Sequence, residues 1–228
     1  MNSDGLAVLL IPAVDVCHYQ AAATGRQAPR MPAALGWMID HLHAYAARAT
    51  IGFFGETAAR HPELAQAAEA AGCEAAAMTY DAVDPWALPP GALRDQIEAT
   101  IATLDQAGVH RPTTFLPPFS GNVALTPAQE SALREAGVLR VGGCRCERLA
   151  CLPLSEAFGR PLTGVWMRLL PVGAIHRALA KKTGACCVTP MDVDPGARGV
   201  GWGRARAMHK FSHLLRRGFV TMREWEQS

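Results

Sequence analysis

The chain has 228 residues, half of them hydrophobic, and a formal net charge of +2. This much apolar material excludes a globally disordered chain. The small charge does not favour a nucleic-acid partner, because basic residues cluster only weakly, at positions 204–217. No run approaches the roughly 18 apolar residues of a membrane helix, so we expect no membrane partner either.

The cysteines and the first residues bear on location. Seven cysteines are an odd number, and Cys186 is adjacent to Cys187, a pattern that favours reduced thiols over a disulfide framework. The chain begins without a basic region or a small-residue cleavage pattern after an apolar core. A cytoplasmic protein is therefore the expectation.

The first predicted element is a buried strand over residues 6–14, where nearly every residue is aliphatic or alanine. Asp15, Cys17 and His18 follow it directly, and the carboxyl ends of parallel strands are where α/β proteins build their sites. On an extended strand Asp15 and Cys17 point the same way, and His18 joins them only if the strand has ended. The alternative is a strand that simply stops in a polar loop.

Predicted helices and strands then alternate. Apolar residues at helical spacing predict helices, and short apolar runs closed by glycine or polar residues predict strands. Thr126 and Gln129 form a predicted capping box, and Asp81 falls at the end of the third strand. The predicted helices are 32–48, 56–72, 93–108, 126–137, 170–182 and 204–217; the strands after the first are 50–55, 74–80, 113–119, 138–141, 184–188 and 219–222.

About seven strands, mostly separated by single helices, favour parallel pairing through right-handed crossovers. The predicted fold is α/β, a (β/α) barrel that could be incomplete, with an open doubly wound sheet as the second choice. A chain of this length with no linker-like segment predicts a single domain over residues 1–228.

A cysteine cluster lies in the second half of the chain. Cys144, Cys146 and Cys151 could supply three thiolates to zinc, but a closed site needs a fourth ligand and the spacing is not that of a standard knuckle. We favour incidental thiols over a metal site for this cluster.

Three stretches resemble one known family. Residues 49–55 (ATIGFFG), 60–64 (RHPEL) and 70–74 (AAGCE) look like the polysaccharide deacetylases, in which a strand of Ala-Thr-Phe-Phe type leads to a helix with His-Pro-Glu-Leu. Residues 166–171, 188–195 and 219–225 resemble a subgroup associated with bacterial exopolysaccharide gene clusters. The resemblance runs over residues 6–226 and implies a distorted (β/α) barrel with a glycan groove at its strand ends.

The resemblance also implies a mechanism. The family hydrolyses an N-acetyl group with a divalent metal that one aspartate and two histidines hold. The metal lowers the pKa of a bound water and polarises the amide carbonyl. Asp15 matches the family's base, and the metal aspartate falls near Cys17 or His18. The two histidines fall on Met78 and Ala82.

Two further positions of the family pattern are also changed. The arginine that orients the base falls at Leu116, and the histidine acid falls at Thr189. Methionine and alanine cannot hold a borderline cation as imidazole does. We therefore expect that this chain does not run the family's usual metal-dependent reaction.

Two hypotheses follow. In the first, the chain is a non-catalytic homologue that binds a carbohydrate, another small N-acylated ligand or a partner enzyme. In the second, the groove carries other chemistry, such as amide hydrolysis, in which His18 activates a substrate of Asp15 or the thiol of Cys17, with Asp81 nearby. The first needs no cofactor, and a residual zinc site of Asp15, His18 and Asp81 is a weaker variant. The predicted ligand-binding residues are aromatic: Tyr19, Tyr80, Phe119 and Trp166.

Overall fold

The computed structural model describes residues 6–14, 30–118, 122–180, 183–194 and 204–228. Eleven strands occur in these ranges, most of them short. They are β1 (Leu6–Pro12), β2 (Thr50–Phe53), β3 (Glu74–Ala77), β4 (Thr114–Phe115), β5 (Val123–Ala124), β6 (Arg140–Gly142), β7 (Cys144–Arg145), β8 (Ala150–Leu152), β9 (Glu156–Ala157), β10 (Arg160–Pro161) and β11 (Thr183–Cys187).

Ten α-helices lie in the same ranges, together with a 3₁₀ turn at Pro85–Ala87. None of these helices combines the length and the hydropathy that a bilayer crossing requires. The helices are α1 (Met31–Ala44), α2 (Gly55–Arg60), α3 (Pro62–Ala70), α4 (Pro90–Gln106), α5 (Pro127–Glu135), α6 (Gly164–Leu169), α7 (Val172–Leu179), α8 (Pro190–Val193), α9 (Arg204–Leu215) and α10 (Met222–Glu226).

Seven strands form one parallel sheet in the order β11-β1-β2-β3-β4-β6-β8. The sheet curves into a nearly closed barrel surrounded by helices, which confirms the predicted fold. The gap between β8 and β11 is crossed by a short segment: Ser155 N–H donates to the carbonyl of Ala185 at 2.8 Å, and Cys187 N–H donates to that of Leu162 at 2.9 Å.

Three predicted elements differ from the structure. The helix predicted at 56–72 is two helices, because Pro62 has no N–H and disfavours helical backbone at the preceding His61, whose φ is −136°. The strand predicted at 113–119 keeps only two paired residues, Thr114 and Phe115, before Pro117.

The strand predicted at 219–222 is also wrong. Only Val220 makes a bridge, to Val8, and the next residue begins a helix instead. Thr221 and Glu224 form a capping box there: the N–H of Glu224 donates to Thr221 Oγ1 at 3.2 Å, and the N–H of Thr221 donates to Glu224 Oε2 at 2.9 Å. The sequence Thr-x-x-Glu carried this signal, but the apolar run before it suggested a strand.

The strands alternate between the barrel interior and the helix layer, as a period of two requires. On β1, Leu9 and Ile11 pack among the helices, whereas Val8 and Leu10 belong to a second apolar cluster inside the barrel. The same parity on β2, β3, β4 and β6 points the first residue of each strand inward.

Those first residues form a buried polar base. Glu74 is at its centre: its Oε2 accepts from the hydroxyl of Thr50 at 3.0 Å, and its Oε1 accepts from that of Thr114 at 2.5 Å. Arg140 donates to Thr114 at 3.0 Å and pairs with Glu226 of α10. Helix α10 therefore closes this end of the barrel.

The start of α10 is held by the same groups. The backbone N–H of Arg223 donates to Glu74 Oε2 at 2.9 Å, and that of Met222 donates to Thr50 Oγ1 at 2.8 Å. The side chain of Glu74 is only 2% exposed. Its carboxylate is the hydrogen-bond acceptor for two hydroxyls and a helix N–H, and it lies near the buried guanidinium of Arg140.

The expectation that the cysteines are reduced thiols is wrong for two of them. Cys146 and Cys151 are joined by a disulfide, and a sulfur in a disulfide is not a thiolate ligand, so the alternative of a three-thiolate zinc site does not fit. Cys144 lies beside them as a buried thiol. The disulfide also removes the argument from reduced thiols for a cytoplasmic location, since such bonds persist mainly in oxidising compartments.

The polar base yields a stability prediction. In Glu74→Ala, Arg140 keeps only the partly exposed Glu226 as an ion-pair partner, and two buried hydroxyls and a helix N–H lose their acceptor. We therefore expect the free energy of unfolding to fall by about 3–5 kcal/mol. Urea denaturation followed by circular dichroism measures this. Glu98→Ala, which removes an exposed carboxylate from α4, is the matched control and should cost no more than about 0.5 kcal/mol. A loss below about 1 kcal/mol for Glu74→Ala would contradict the role of the base.

The cysteines yield a labelling prediction. Burial raises the pKa of the Cys144 thiol to about 12, so at about pH 8 only about one molecule in ten thousand carries the thiolate. After mild reduction of the folded protein, iodoacetamide should modify the half-buried Cys146 and Cys151 and spare Cys144. Peptide mass spectrometry gives the pattern. In denaturant all three should react, and rapid labelling of Cys144 in the folded protein would show that it is accessible.

Candidate functional site

The carboxyl ends of the barrel strands are filled by apolar side chains. Met78, directly after β3, and Leu116, directly after β4, are fully buried together with Leu10 of β1. Glycines on the neighbouring strands β2 and β6 leave the necessary room. A Cβ at Gly52 would lie 3.0 Å from atoms of both Met78 and Leu116, and a Cβ at Gly142 would lie 2.5 Å from Leu116.

This cluster contains three positions of the family pattern. Met78 and Ala82 stand where the resemblance places the two histidines, and Leu116 stands where it places the arginine; all three pack in the cluster inside the barrel. Phe54, at the end of β2, and Val14, after β1, belong to it as well. At these strand ends the described side chains offer carbon and sulfur contacts rather than nitrogen or carboxylate ligands.

Thr189, the position of the family's histidine acid, has a local structural role. It is the N-cap of α8, and its N–H and hydroxyl both donate to Asp192 Oδ2, at 3.0 and 2.8 Å. Asp192 also pairs with Arg168 of α6 at 3.6 Å. Thr189 therefore caps a helix and has no imidazole with which to protonate a leaving group.

Several predicted site residues lie outside the described residues: Asp15, Cys17, His18, Tyr19 and Phe119. Their predicted roles stay predictions.

Arg30 is described, and it donates to both oxygens of Asp194, at 2.7 and 3.0 Å. The hydrogen bond and the charge of Asp194 raise the pKa of Arg30. This bidentate pair joins the residue before α1 to the residue after α8.

Asp81 is described, and it is exposed. Its Oδ2 accepts from Gln96 Nε2 at 2.9 Å, and its N–H donates to Gln96 Oε1 at 2.9 Å. Asp81 is therefore fixed on α4. The strand that precedes it, β3, is separated from β1 in the sheet by β2, so Asp81 and the residues after β1 do not follow neighbouring strands.

An open groove of about 330 Å³ lies beside Asp81, between the end of β3 and α4. We call it the Tyr80 groove. Small alanines form part of its wall, and Asp95 and Gln96 supply its polar atoms. Its lining residues are Tyr80, Leu88, Ala92, Asp95, Gln96 and Ala99.

The two described aromatic candidates are on different parts of the barrel. Tyr80 follows β3 and lines the Tyr80 groove. Trp166 lies on α6, before β11, with the guanidinium of Arg160 5.8 Å from its ring centroid. The strands β1 and β2 lie between β11 and β3 in the sheet, so these two residues follow and precede strands that are not neighbours. Their roles in ligand binding stay predictions.

Sequence reasoning missed Asp95 and Gln96. The apolar face of α4 contains Ile97, Ile101 and Leu104 at helical spacing, and all three are buried. A second face has the same helical spacing: Ala92, then Asp95 and Gln96, then Ala99 at three, four and seven residues on. Two polar residues flanked by small residues on one helix face were the sequence signal that could have predicted this groove.

Among the described residues, no three histidines, cysteines or acidic residues are grouped as a metal site would need. The residual site of Asp15, His18 and Asp81 includes two residues outside those ranges and stays a prediction.

The chain is similar to known proteins in one family. Residues 31–138 match the family model of polysaccharide deacetylase, which is slightly less than half of the chain. A search of curated proteins gives no match.

Solved structures share the fold over nearly the whole chain. A Mycobacterium smegmatis structure assigned as a polysaccharide deacetylase is 17% identical, with a TM-score of 0.72, over 98% of this chain and 90% of that one. The peptidoglycan deacetylase PdaC from Bacillus subtilis is 15% identical, with a TM-score of 0.60, over 99% and 91%.

A third neighbour differs from these in activity. Wild-type BA3943 from Bacillus anthracis, described as a pseudoenzyme of the same carbohydrate esterase family, CE4, is 12% identical. Its TM-score is 0.60, over 97% of this chain and 64% of that one. The family match over residues 31–138 and the shared barrel agree with the resemblance found in the sequence: the chain is similar to the polysaccharide deacetylases and has their fold.

Proposed function

We propose that this protein is a non-catalytic member of the polysaccharide deacetylase family that binds a carbohydrate. It does not carry out the family's metal-dependent removal of N-acetyl groups. A carbohydrate ligand accords with the family and with neighbours that are carbohydrate esterases. A partner enzyme that acts on the bound glycan is compatible with this role.

One observation carries the proposal. Met78 and Leu116, at positions that the resemblance assigns to a metal ligand and to a base-orienting arginine, are packed against each other in an apolar cluster with Leu10. A divalent cation in such surroundings would lose its water without gaining ligands, which is strongly unfavourable. The apolar packing at these positions therefore argues against the family's reaction.

Related barrels give a precedent for the loss of activity. One neighbour is a CE4 family pseudoenzyme, and another is a mutant of it described as having restored enzymatic activity. The barrel can therefore be retained in a protein without the activity, which is the combination that we propose for this chain.

The proposal predicts no acetate release together with glycan binding. Purified protein supplied with zinc, cobalt or nickel should release no acetate from N-acetylated oligosaccharides above the background of heat-treated protein. A panel of glycans should contain one that raises the melting temperature, because a ligand that binds only the folded state stabilises it, by about 2.7 kcal/mol at a hundred times its Kd.

Asp15→Ala separates the remaining possibilities in the same assays. Metal-dependent acetate release that disappears in this variant would contradict the proposal outright. Metal-independent turnover that disappears would favour the second hypothesis, in which the groove carries other amide chemistry. Glycan-dependent stabilisation without any turnover supports a binding protein.

The apolar cluster predicts a cost for restoring an imidazole. In Met78→His a polar ring enters a fully buried apolar position, so the free energy of unfolding should fall by about 2–4 kcal/mol. Met78→Leu keeps the volume and should cost less than about 1.5 kcal/mol. Chemical denaturation compares the two variants with the wild type. Equal costs would mean that the site tolerates a polar ligand, which would weaken the proposal.

A further inference from the structure

The Tyr80 groove has the chemistry of a small-ligand site outside the apolar cluster. Its volume of about 330 Å³ is at the lower end of the roughly 300–1,000 Å³ of small-molecule sites. That size suits one sugar ring, and the open shape allows a longer chain to continue beyond it.

Tyr80 supplies an aromatic surface held in place by the backbone. A Cβ at Gly55 would lie 2.1 Å from Cδ2 of the Tyr80 ring, so the ring packs directly on α2, and only glycine permits this approach. Tyrosine combines an apolar ring with a polar tip that usually finds a hydrogen-bond partner. No such partner for the Tyr80 hydroxyl occurs in the described part of the chain. A sugar has a matching pair of surfaces, a C–H face and a hydroxyl edge.

The polar atoms of the groove are held by a local network. Gln96 is fixed by its two hydrogen bonds with Asp81, which leaves Asp81 Oδ1 without a hydrogen bond among the described residues. Asp95 pairs with Arg94 through Oδ1, at 3.0 and 3.2 Å. Asp95 Oδ2 is likewise without a hydrogen-bond partner in the described ranges.

The charge around the groove is negative. Asp95 lines the groove, and Asp81 lies directly behind Gln96. The neighbouring cation, Arg94, also pairs with Glu98 and Glu135, so it does not offset all the carboxylates. None of the residues that line the groove is cationic. This charge opposes anionic sugars, such as uronic acids, and favours a cationic group.

We propose that the Tyr80 groove binds one unit of an amino sugar whose free amine is protonated. The ring of Tyr80 stacks on the C–H face of the sugar. The ammonium group donates to Asp95 and the hydroxyls reach Gln96 and the Tyr80 hydroxyl. The inference rests on the proposed function only for the ligand class, carbohydrate, and it adds the site and the charge of the sugar.

Isothermal titration calorimetry at about pH 6, where sugar amines are protonated, tests this with two oligomers of equal length. The glucosamine hexasaccharide should bind at least about tenfold more tightly than the N-acetylglucosamine hexasaccharide, since a charge-assisted hydrogen bond is stronger than a neutral one. Its affinity should fall as salt rises, because the carboxylates are partly exposed.

Two variants assign the binding to the groove. Asp95→Asn should lower the affinity for the glucosamine oligomer about tenfold and leave that for the N-acetylated oligomer nearly unchanged. Tyr80→Phe keeps the ring on Gly55 and removes the hydroxyl, so it should weaken both oligomers a few-fold. Circular dichroism checks that each variant is folded.

Asp105→Asn is the matched control. Asp105 is an exposed carboxylate on α4 outside the groove, and its removal changes the net charge by the same amount. An equal loss in Asp95→Asn and Asp105→Asn would reveal general attraction of a polycation and overturn the inference.

Other outcomes separate this inference from the proposed function. Equal binding of the two oligomers, unaffected by Asp95→Asn, would overturn the amino-sugar site and leave a carbohydrate-binding protein. Failure of both oligomers to bind would overturn it too, while the glycan panel would still decide the proposed function.

Discussion

The interior of a small barrel must be filled, and how this chain fills it determines the rest of the molecule. Gly52 and Gly142 make room for Met78 and Leu116, because a side chain at either glycine would meet these large residues. The result is an apolar layer at the positions where the family resemblance places a metal ligand and an arginine. We therefore place the proposed ligand site outside this apolar layer.

The opposite end of the barrel has the reverse character. Glu74 and Arg140 are buried with hydroxyls and the start of α10 in a connected network. A buried carboxylate with this many donors is costly to disturb but adds no reactivity, because its partners occupy it. In barrel enzymes this end contributes to stability, while sites lie at the carboxyl ends. In this chain the buried polar network around Glu74 is structural.

The comparisons separate fold from activity. Structures 12–17% identical to this chain share its barrel, and they include both a peptidoglycan deacetylase and a pseudoenzyme. A common barrel therefore leaves the chemistry open, and function must be argued from particular side chains. For this chain those are the apolar Met78 and Leu116 inside the barrel and the polar Asp95 and Gln96 on its outer side.

The amino-acid sequence by itself determined the architecture. Alternating strand and helix patterns, and the capping box at Thr126, correspond to elements of the barrel because these signals are local. The predicted ends of helices and strands were wrong where two local signals competed, as at Pro62 and at Thr221. Only the tertiary structure decided that Asp81 is held by Gln96, that Cys146 is bonded to Cys151, and that Tyr80 packs on Gly55. Such contacts depend on how separate elements pack, and no periodicity in the sequence records that.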